Sequence, residues 1–411
     1  MITKKFHNAF LLKKGRSFII YLAILLSLPI ILVVRALRPF VLIRFKGLIS
    51  ERIGHFTANP ELYLCEKDLG MHKGKRVIDI FYYGKVCNQQ VLKMYKRLLY
   101  IYRYSSILYK ANRLIPGYEV HEVSLKNPLP DILQYRDVDD CLIKVKPHVW
   151  FTPDEEREGE KALMAMEIPK NAPFVCFHAR DNRYLEVMFP NNDWYYHKCR
   201  DVTIYNYIPA LDHLTNRGYF AIRMGAIVKE KLNTSNTKII DYSNKYRTDF
   251  LDIFLISKCR FFIGCTTGLT NATYQLFRKP IVWVNFIPIG EIHSWGANSL
   301  VILKKLWLKK ENHFMTFKEV FDLNIERETV LNKYEKLGIE IIENTQDEIT
   351  AVTIEMDERL KGSWQTTEED EELQKRFWAL FKSSDWHGVI RSRIGRDFLR
   401  QNRNLLESKT K

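Results

Sequence analysis

The sequence lacks paired cysteines of the kind that bind zinc or build a disulfide framework. Its 411 residues include seven cysteines, an odd number, and no Cys-x-x-Cys pair. Several of these cysteines lie in apolar segments, where the thiol behaves as a small hydrophobic group. We therefore expect that the cysteines are reduced and that the folded domains face a reducing compartment such as the cytoplasm. We expect no zinc site.

The short signatures of several large protein classes are also absent. The sequence contains no Walker A motif, no protein-kinase signature set and no Gly-x-Gly-x-x-Gly dinucleotide fingerprint. Its basic residues are spread along the chain and form no known nucleic-acid-binding motif. These absences count against phosphotransferases of the common types, and we expect no nucleic acid partner.

One long apolar run is present, from Phe18 to Val34 near the amino terminus, and only Ser27 interrupts it. Its length of about 17 residues is at the short limit for a spanning helix. No small-residue cleavage site follows it, and Pro29 predicts a kink. Basic residues flank both ends, so the positive-inside rule selects no orientation. We predict a membrane anchor in residues 1–37, either re-entrant with both flanks in the cytoplasm or single-pass.

Apolar strands alternate with helices between about residues 170 and 305. This alternation is typical of a parallel α/β sheet and predicts a Rossmann-like domain over residues 151–310. The expected strands cover residues 173–177, 219–225, 238–242, 259–264 and 280–285. The expected helices cover residues 204–217, 246–259 and 270–278.

The amino-terminal half alternates in the same way and predicts a second Rossmann-like domain over residues 38–150. Asn59 followed by Pro60 predicts a helix start, because Asn favours the N-cap and Pro the first turn. Residues 127–159 contain four prolines and are the expected inter-domain segment. Residues 311–411 predict a helical extension. The remaining expected strands cover residues 39–45, 76–83 and 118–123, and the remaining helices cover residues 59–69, 89–100, 345–362 and 366–382.

The strand over residues 173–177 ends in three ionisable residues, His178, Arg180 and Asp181. In open α/β sheets, ligands bind at the carboxyl ends of the strands. A guanidinium remains charged at physiological pH and matches phosphate oxygens with paired hydrogen bonds. Arg180 therefore indicates an anion site, although a strand-end ion pair is an equally simple explanation.

Polar residues also follow the neighbouring strands. Gly264 is followed by Thr266, Thr267 and Gly268 at the start of a helix, where free amides and the helix dipole favour phosphate. The alternative is an ordinary strand-to-helix turn in which a threonine is the N-cap. Further candidates for the same crevice, each at a strand end, are Arg223 and Asn285.

Together these motifs resemble a family of bacterial glycosyltransferases that are found with surface-polysaccharide genes. The resemblance covers roughly residues 40–300. The element His178-Ala179-Arg180 is also similar to the His-x-Arg strand end of the GDP-fucose-dependent fucosyltransferases, in which the arginine holds the donor diphosphate. The segments that carry the family resemblance are residues 177–181, 184–185, 223–225, 242–252, 262–268 and 52–56, with Asn59.

The resemblance implies a GT-B-like fold, in which two Rossmann-like domains face a cleft, and transfer of a sugar from a nucleotide-diphosphate donor. On the donor side we expect His178, Arg180, Arg223, Thr266, Thr267, Gly268 and Asn285. On the acceptor side we expect Arg52, Gly54, His55 and Asn59. Arg180 would stabilise the leaving diphosphate, and Asp181 or His55 would be the base if the enzyme inverts.

A net charge of +15 and a sequence pI near 9.3 suit anionic partners. Nucleotide sugars, lipid-pyrophosphate acceptors and anionic membrane phospholipids are all of this kind, and we expect the acceptor to be lipid-linked or a polysaccharide. We therefore predict an enzyme at the cytoplasmic face of a bacterial inner membrane that needs no metal or cofactor. The alternatives are another transferase that acts on an anionic donor, and a non-catalytic scaffold for polysaccharide-assembly partners.

Overall fold

The computed structural model describes residues 18–72, 76–124, 136–381 and 388–407. The chain divides into two compact units, Met1–Gln134 and Tyr135–Lys411. The dividing point falls inside the proline-rich segment 127–159. Each unit has an α/β core with a parallel sheet, and each is described here by itself.

The first unit contains a three-stranded parallel sheet of order β1-β2-β3. Strands and helices alternate, as the apolar pattern predicts. The strands are β1 (Leu42–Leu48), β2 (Val77–Tyr83) and β3 (Tyr100–Ile101). The helices are Phe18–Ala36, Ile53–Asp68, Gln89–Lys96 and Ser105–Asn112, and a 3-10 helix covers Tyr118–His121.

The helix after β1 begins at Ile53, so the prediction of an N-cap at Asn59 is wrong. Asn59 and Pro60 lie inside this helix. A proline in a helix interior costs about 3 kcal/mol. Burial offsets that cost, because Phe56 is fully buried against the ring of Tyr95, and a large apolar side chain contributes about 2 kcal/mol when buried.

The predicted strand over residues 118–123 is also wrong, since Tyr118–His121 forms a 3-10 helix. Only Glu122 pairs with the sheet, in a single parallel bridge to Phe45. The ring of His121 hydrogen-bonds the Ile43 carbonyl oxygen at 2.6 Å, so a side chain takes over this contact with β1. The periodicity of apolar residues does not reveal such a contact.

The second unit is built on a seven-stranded parallel sheet of order β13-β9-β8-β7-β4-β5-β6. The chain runs outward from β4 through β5 to β6, then returns to the other side of β4 and continues through β7 to β9. The topological switch point therefore lies between β4 and β7. The strands are β4 (Phe174–His178), β5 (Phe220–Arg223), β6 (Ile239–Ile240), β7 (Phe262–Gly264), β8 (Ile281–Phe286), β9 (Leu300–Leu303) and β13 (Arg393–Ile394).

Helices flank this sheet, and a small antiparallel sheet of order β11-β10-β12 adjoins it in sequence. The small sheet consists of β10 (Lys305–Leu308), β11 (His313–Phe314) and β12 (Ile339–Ile342). The α-helices are Cys141–Lys144, Pro153–Ala165, Arg183–Met188, Ile208–Asn216, Tyr242–Lys245, Asp249–Lys258, Gly268–Phe277, Phe317–Asp322, Leu331–Lys336, Gln346–Lys361, Glu368–Trp378 and Arg396–Gln401. The 3-10 helices are Tyr195–Arg200, Ile204–Tyr207, Ile289–Glu291 and Arg403–Leu406.

The carboxyl-terminal segment contributes strands as well as the helices that its sequence predicts. β13 pairs with β9 and so belongs to the main sheet. The helix Gln346–Lys361 starts in a capping box between Thr345 and Glu348 and ends at Gly362, whose φ of 75° suits glycine. This helix packs on the helix Ile208–Asn216 and covers one face of the sheet.

The core of the second unit lies within the sheet itself. Strands β4, β7 and β8 read as continuous apolar runs because helices cover both faces of a parallel sheet. All residues of β8 are buried, and Val175, Cys176, Phe177 and Ile263 are completely buried. These rigid strands fix the positions of the polar residues that follow them.

Candidate functional site

A cleft of about 870 Å³ opens in the second unit at the carboxyl ends of the strands. The end of β4 contributes Ala179 and Arg180, the end of β5 contributes Arg223, and Lys304 follows β9. The cleft therefore includes the β4 side of the topological switch point. Open α/β sheets bind ligands at that point. The anion site predicted from the strand-end residues is also expected at this edge of the sheet.

Arg180 is 8% exposed, and its guanidinium is held by three acceptors. It forms an ion pair with Asp201, and it donates hydrogen bonds to the His197 carbonyl oxygen at 3.2 Å and to Asn182 Oδ1 at 3.0 Å. The alternative of a strand-end ion pair is thus correct for the state described here. The residue nevertheless lines the cleft.

Asp201 faces this cleft and connects two of its cations. Its carboxylate pairs with Arg180, while its carbonyl oxygen accepts a hydrogen bond from Lys304 Nζ at 2.7 Å. Burial raises the pKa of Asp201 to about 6, and the charges of Arg180 and Lys304 oppose that rise. A carboxyl group with this pKa changes charge just below neutral pH.

Lys304 is a cleft residue that the sequence analysis missed. It is 7% exposed, and burial lowers its pKa. It directly follows the apolar strand Leu300–Leu303, so the rule that identified Arg180 would have found it. The strand was not predicted, because it follows a loop that begins with Pro288.

Arg223 ends β5 and lines the same cleft. It is 3% exposed. Its guanidinium donates a hydrogen bond to the Glu230 carbonyl oxygen at 2.6 Å and lies 3.5 Å from the Asp241 carboxylate. These contacts fix its orientation.

His178 and Asp181 support the loops around the cleft. The ring of His178 hydrogen-bonds the Met224 carbonyl oxygen at 2.9 Å through Nδ1, and burial lowers its pKa, which keeps the ring neutral. Asp181 lines the cleft, and its two carboxylate oxygens accept hydrogen bonds from the backbone amides of Arg183 at 2.9 Å and Lys229 at 3.0 Å. Both residues therefore position segments that follow β4 and β5.

The turn after β7 has the geometry of a capped helix start. Thr267 is the N-cap of the helix Gly268–Phe277, and its hydroxyl accepts a hydrogen bond from the Thr270 amide at 3.3 Å. Thr266 Oγ1 donates to the Ile287 carbonyl oxygen at 3.4 Å. Thr266, Thr267 and Gly268 are not among the described residues that line the cleft.

Asn285 lies in the interior of the second unit. It is completely buried with a φ of 54°, and it exchanges two hydrogen bonds of 2.6 Å with Asn344. Each backbone amide donates to the side-chain oxygen of the other residue. Through these bonds, Asn285 joins β8 to the segment that follows β12.

The acceptor-side candidates lie in the first unit, around the start of the helix Ile53–Asp68. Arg52 is its exposed N-cap residue, Gly54 is in its first turn, and Asn59 is buried one and a half turns later. Burial and the charge of Arg52 lower the pKa of His55 to about 4. The ring of His55 is therefore neutral at physiological pH and is a weak base there.

Two acidic groups outside the cleft have local partners. Asp137 accepts hydrogen bonds from the amides of Cys141 at 2.6 Å and Leu142 at 2.8 Å, and Asp140 pairs with Arg391 at 2.8 Å.

Glu311, His313 and Glu319 have ligand atoms within 4.8 Å of one another and offer a geometry for a metal ion. Glu319 already caps the helix Phe317–Asp322.

No family model matches the sequence, and no curated protein matches it. Three solved structures show a distant likeness to the chain. They are the glycosyl transferase family 9 protein from Veillonella parvula DSM 2008 (TM-score 0.40, 10% identity, covering 63% of this chain and 85% of that chain), the E. coli ADP-heptose LPS heptosyltransferase II (TM-score 0.37, 13% identity, 69% and 98%), and the E. coli heptosyltransferase WaaC with ADP-2-deoxy-2-fluoro heptose (TM-score 0.31, 10% identity, 63% and 93%). Likeness of this degree concerns only the course of the backbone.

Proposed function

We propose that this protein is a glycosyltransferase that moves a sugar from a nucleotide-diphosphate donor to a lipid-linked or polysaccharide acceptor. The observation that carries the proposal is the cleft at the switch point, where Arg180, Arg223 and Lys304 supply three cations from the ends of three strands. The motif resemblance of residues 177–181 and 262–268 supports the same activity. A GT-B arrangement of the two units belongs to the proposal.

The cations suit the charge that glycosyl transfer develops. As the glycosidic bond breaks, negative charge accumulates on the departing diphosphate, and fixed cations in a partly desolvated site stabilise it. Arg180 offers paired N–H donors to phosphate oxygens, and Lys304 adds a compact charge. With these cations present, we expect transfer without a metal.

Carboxylates that line the cleft suit the sugar. Glu335, Glu340 and Glu343 line it, and carboxylate oxygens accept hydrogen bonds from hydroxyl groups. Tyr195 already donates such a bond to Glu335 at 2.6 Å. A neutral polyol next to a diphosphate would therefore find both kinds of partner in one cleft.

Asp201 joins Asp181 and His55 as a candidate for the base that activates the acceptor hydroxyl. A general base is most effective when its pKa lies near the working pH. Asp201 has a pKa of about 6 and faces the cleft, whereas His55 has a pKa of about 4 and both oxygens of Asp181 accept backbone hydrogen bonds. A donor diphosphate that pairs with Arg180 would release Asp201 for this role.

Nucleotide binding tests the proposal directly. Thermal shift of the full chain in detergent, with UDP-, GDP-, ADP-, CMP- and dTDP-sugars and EDTA, is expected to show one selective rise in melting temperature. Arg180→Ala should abolish that rise. The matched control is Arg157→Ala, which removes an exposed arginine on the helix Pro153–Ala165.

Turnover of the selected donor then separates an enzyme from a scaffold. Release of the free nucleotide in the presence of an acceptor extract, and its loss in Arg180→Ala, are the expected results. Binding without turnover would favour the scaffold. No shift with any nucleotide, with or without Mg²⁺, would overturn the proposal.

A further inference from the structure

The apolar helix Phe18–Ala36 packs on its own unit along one narrow stripe. Ile24, Ser27, Ile31 and Val34 are buried, and their spacing of three and four residues places them on one helix face. Ile24, Ile31 and Val34 form an apolar cluster with the first sheet and with the helix Ser105–Asn112. The stripe extends over about 15 Å of the helix.

The remaining faces of this helix are apolar and exposed. Only a small share of this apolar helix is buried inside the folded unit. Leu22, Leu26 and Val33 lie opposite the buried stripe and are 46%, 69% and 59% exposed. Phe40, just beyond the helix, is 74% exposed. A continuous apolar surface of this size in a soluble protein marks an interaction site.

Arg35 fastens the carboxyl end of this helix to the folded unit. Its guanidinium donates to Asn112 Oδ1 at 2.9 Å, and to the carbonyl oxygens of Ile115 at 2.9 Å and Pro116 at 2.7 Å. Those carbonyls follow the helix Ser105–Asn112, where a positive charge is favourable. The helix Phe18–Ala36 is therefore part of the fold from Ile24 onward.

This attachment is difficult to combine with a membrane-spanning helix. Spanning needs about 20 residues surrounded by hydrocarbon. In the described part of this helix, residues 18–23 precede the packed stretch, and a spanning placement of residues 18–36 would bring the Arg35–Asn112 contact and the edge of a sheet into the bilayer. Buried polar groups and sheet edges are costly in hydrocarbon.

We propose that the helix Phe18–Ala36 is a monotopic docking element that lies in one leaflet of an anionic phospholipid bilayer, with the folded unit on its other side. Its exposed apolar faces enter the leaflet, as in interfacial helices. Cations are present at both ends for the lipid headgroups, with Lys13, Lys14 and Arg16 before the helix and exposed Arg38 after it. This inference does not depend on glycosyl transfer.

Vesicle binding tests the apolar surface. Full-length protein, diluted from detergent onto vesicles of phosphatidylcholine with 30% phosphatidylglycerol (about one anionic lipid in three, in the range where surface charge attracts basic segments), should float with the lipid. The double variant Leu26→Glu and Val33→Glu should lose at least ten-fold in bound fraction. The matched control is Leu323→Glu, an exposed leucine in the second unit, which should bind like the parent protein. An unchanged melting temperature shows that the variants are folded.

Depth measurements test the orientation. Single cysteines at positions 22, 26 and 33, labelled with an environment-sensitive dye, should be quenched to a similar depth by spin-labelled lipids. A cysteine at position 5 should react only with reagents on the side of the folded units. Positions 22 and 33 in opposite leaflets would overturn the proposal in favour of a spanning helix. A dimer that hides these positions and does not bind vesicles would overturn it in favour of a second copy of the chain.

Discussion

Asp201 forms an ion pair with Arg180 in the cleft, so its carboxylate already binds the guanidinium that an anionic donor would need. The two residues are 21 positions apart and belong to different segments of the second unit. Donor binding therefore exchanges one anion for another at Arg180. This exchange leads to a pH dependence.

Acidification from pH 7.5 to 5.5 should strengthen the binding of a nucleotide sugar several-fold. Asp201, with a pKa of about 6, is ionised and paired with Arg180 above that pH, and it becomes neutral and releases Arg180 below it. Calorimetric titration with the nucleotide sugar selected by thermal shift measures the change, since its esterified phosphates do not titrate in this range. His178 and His197 also lie beside Arg180.

The variant Asp201→Asn separates the effect of Asp201 on nucleotide-sugar binding from that of other groups near Arg180. It should bind the nucleotide sugar tightly at pH 7.5 and show little further gain at pH 5.5. Affinity that falls on acidification of the parent protein, or an equally steep gain in Asp201→Asn, would contradict the exchange at Arg180.

Loss of the Asn285–Asn344 pair should destabilise the second unit. Asn344→Ala removes the oxygen that accepts the Asn285 amide and leaves that amide without its partner in a completely buried site, while the backbone amide of residue 344 still donates to Asn285 Oδ1. An unsatisfied buried group costs about 1–3 kcal/mol. Denaturant unfolding should show a loss in this range, whereas the exposed control Asn192→Ala should change little. Equal stabilities would show that water replaces the lost partner.

Gly159→Ala should lower stability even though alanine is the better helix former. A Cβ at Gly159 in the helix Pro153–Ala165 would clash with the ring of Phe254, which is buried and packs edge-on against the ring of Phe151. Overpacking costs about 1–3 kcal/mol, and helix propensity returns at most about 1 kcal/mol. Thermal denaturation should show a lower melting temperature. In Gly84→Ala, where a Cβ meets nothing, the melting temperature should be unchanged.

Arg35→Ala should loosen the helix Phe18–Ala36 without changing its apolar surface. The substitution leaves Asn112 Oδ1 and the carbonyls of Ile115 and Pro116 without their cation. Hydrogen exchange in detergent should show faster exchange of the amides of residues 28–36. Arg38→Ala, which removes an exposed arginine, serves as the control. Identical protection in both variants would mean that the apolar stripe alone holds the helix.

Much of the second unit can be predicted from its sequence, because its strands are short apolar runs that end in turn residues. The strand at residues 174–178 and the helix at 268–277 lie within a few positions of the expected ones. The helix start at Ile53 could not be predicted from the Asn59-Pro60 signal. Local capping preferences are worth about 1 kcal/mol, and burial of Phe56 and its neighbours outweighs them.

The strand-end chemistry can be predicted from the amino-acid sequence alone, because Arg180 follows one buried strand, Arg223 ends another, and parallel strands bring such residues to one edge of a sheet. The partners of these cations depend on the folded structure. Asp201 pairs with Arg180 and accepts a hydrogen bond from Lys304, which lies about a hundred residues further along the chain, and the same structure places Asn285 in the core. Periodicity records which residues are buried locally, whereas ion pairs and reciprocal hydrogen bonds arise from contacts between residues that are far apart in the chain.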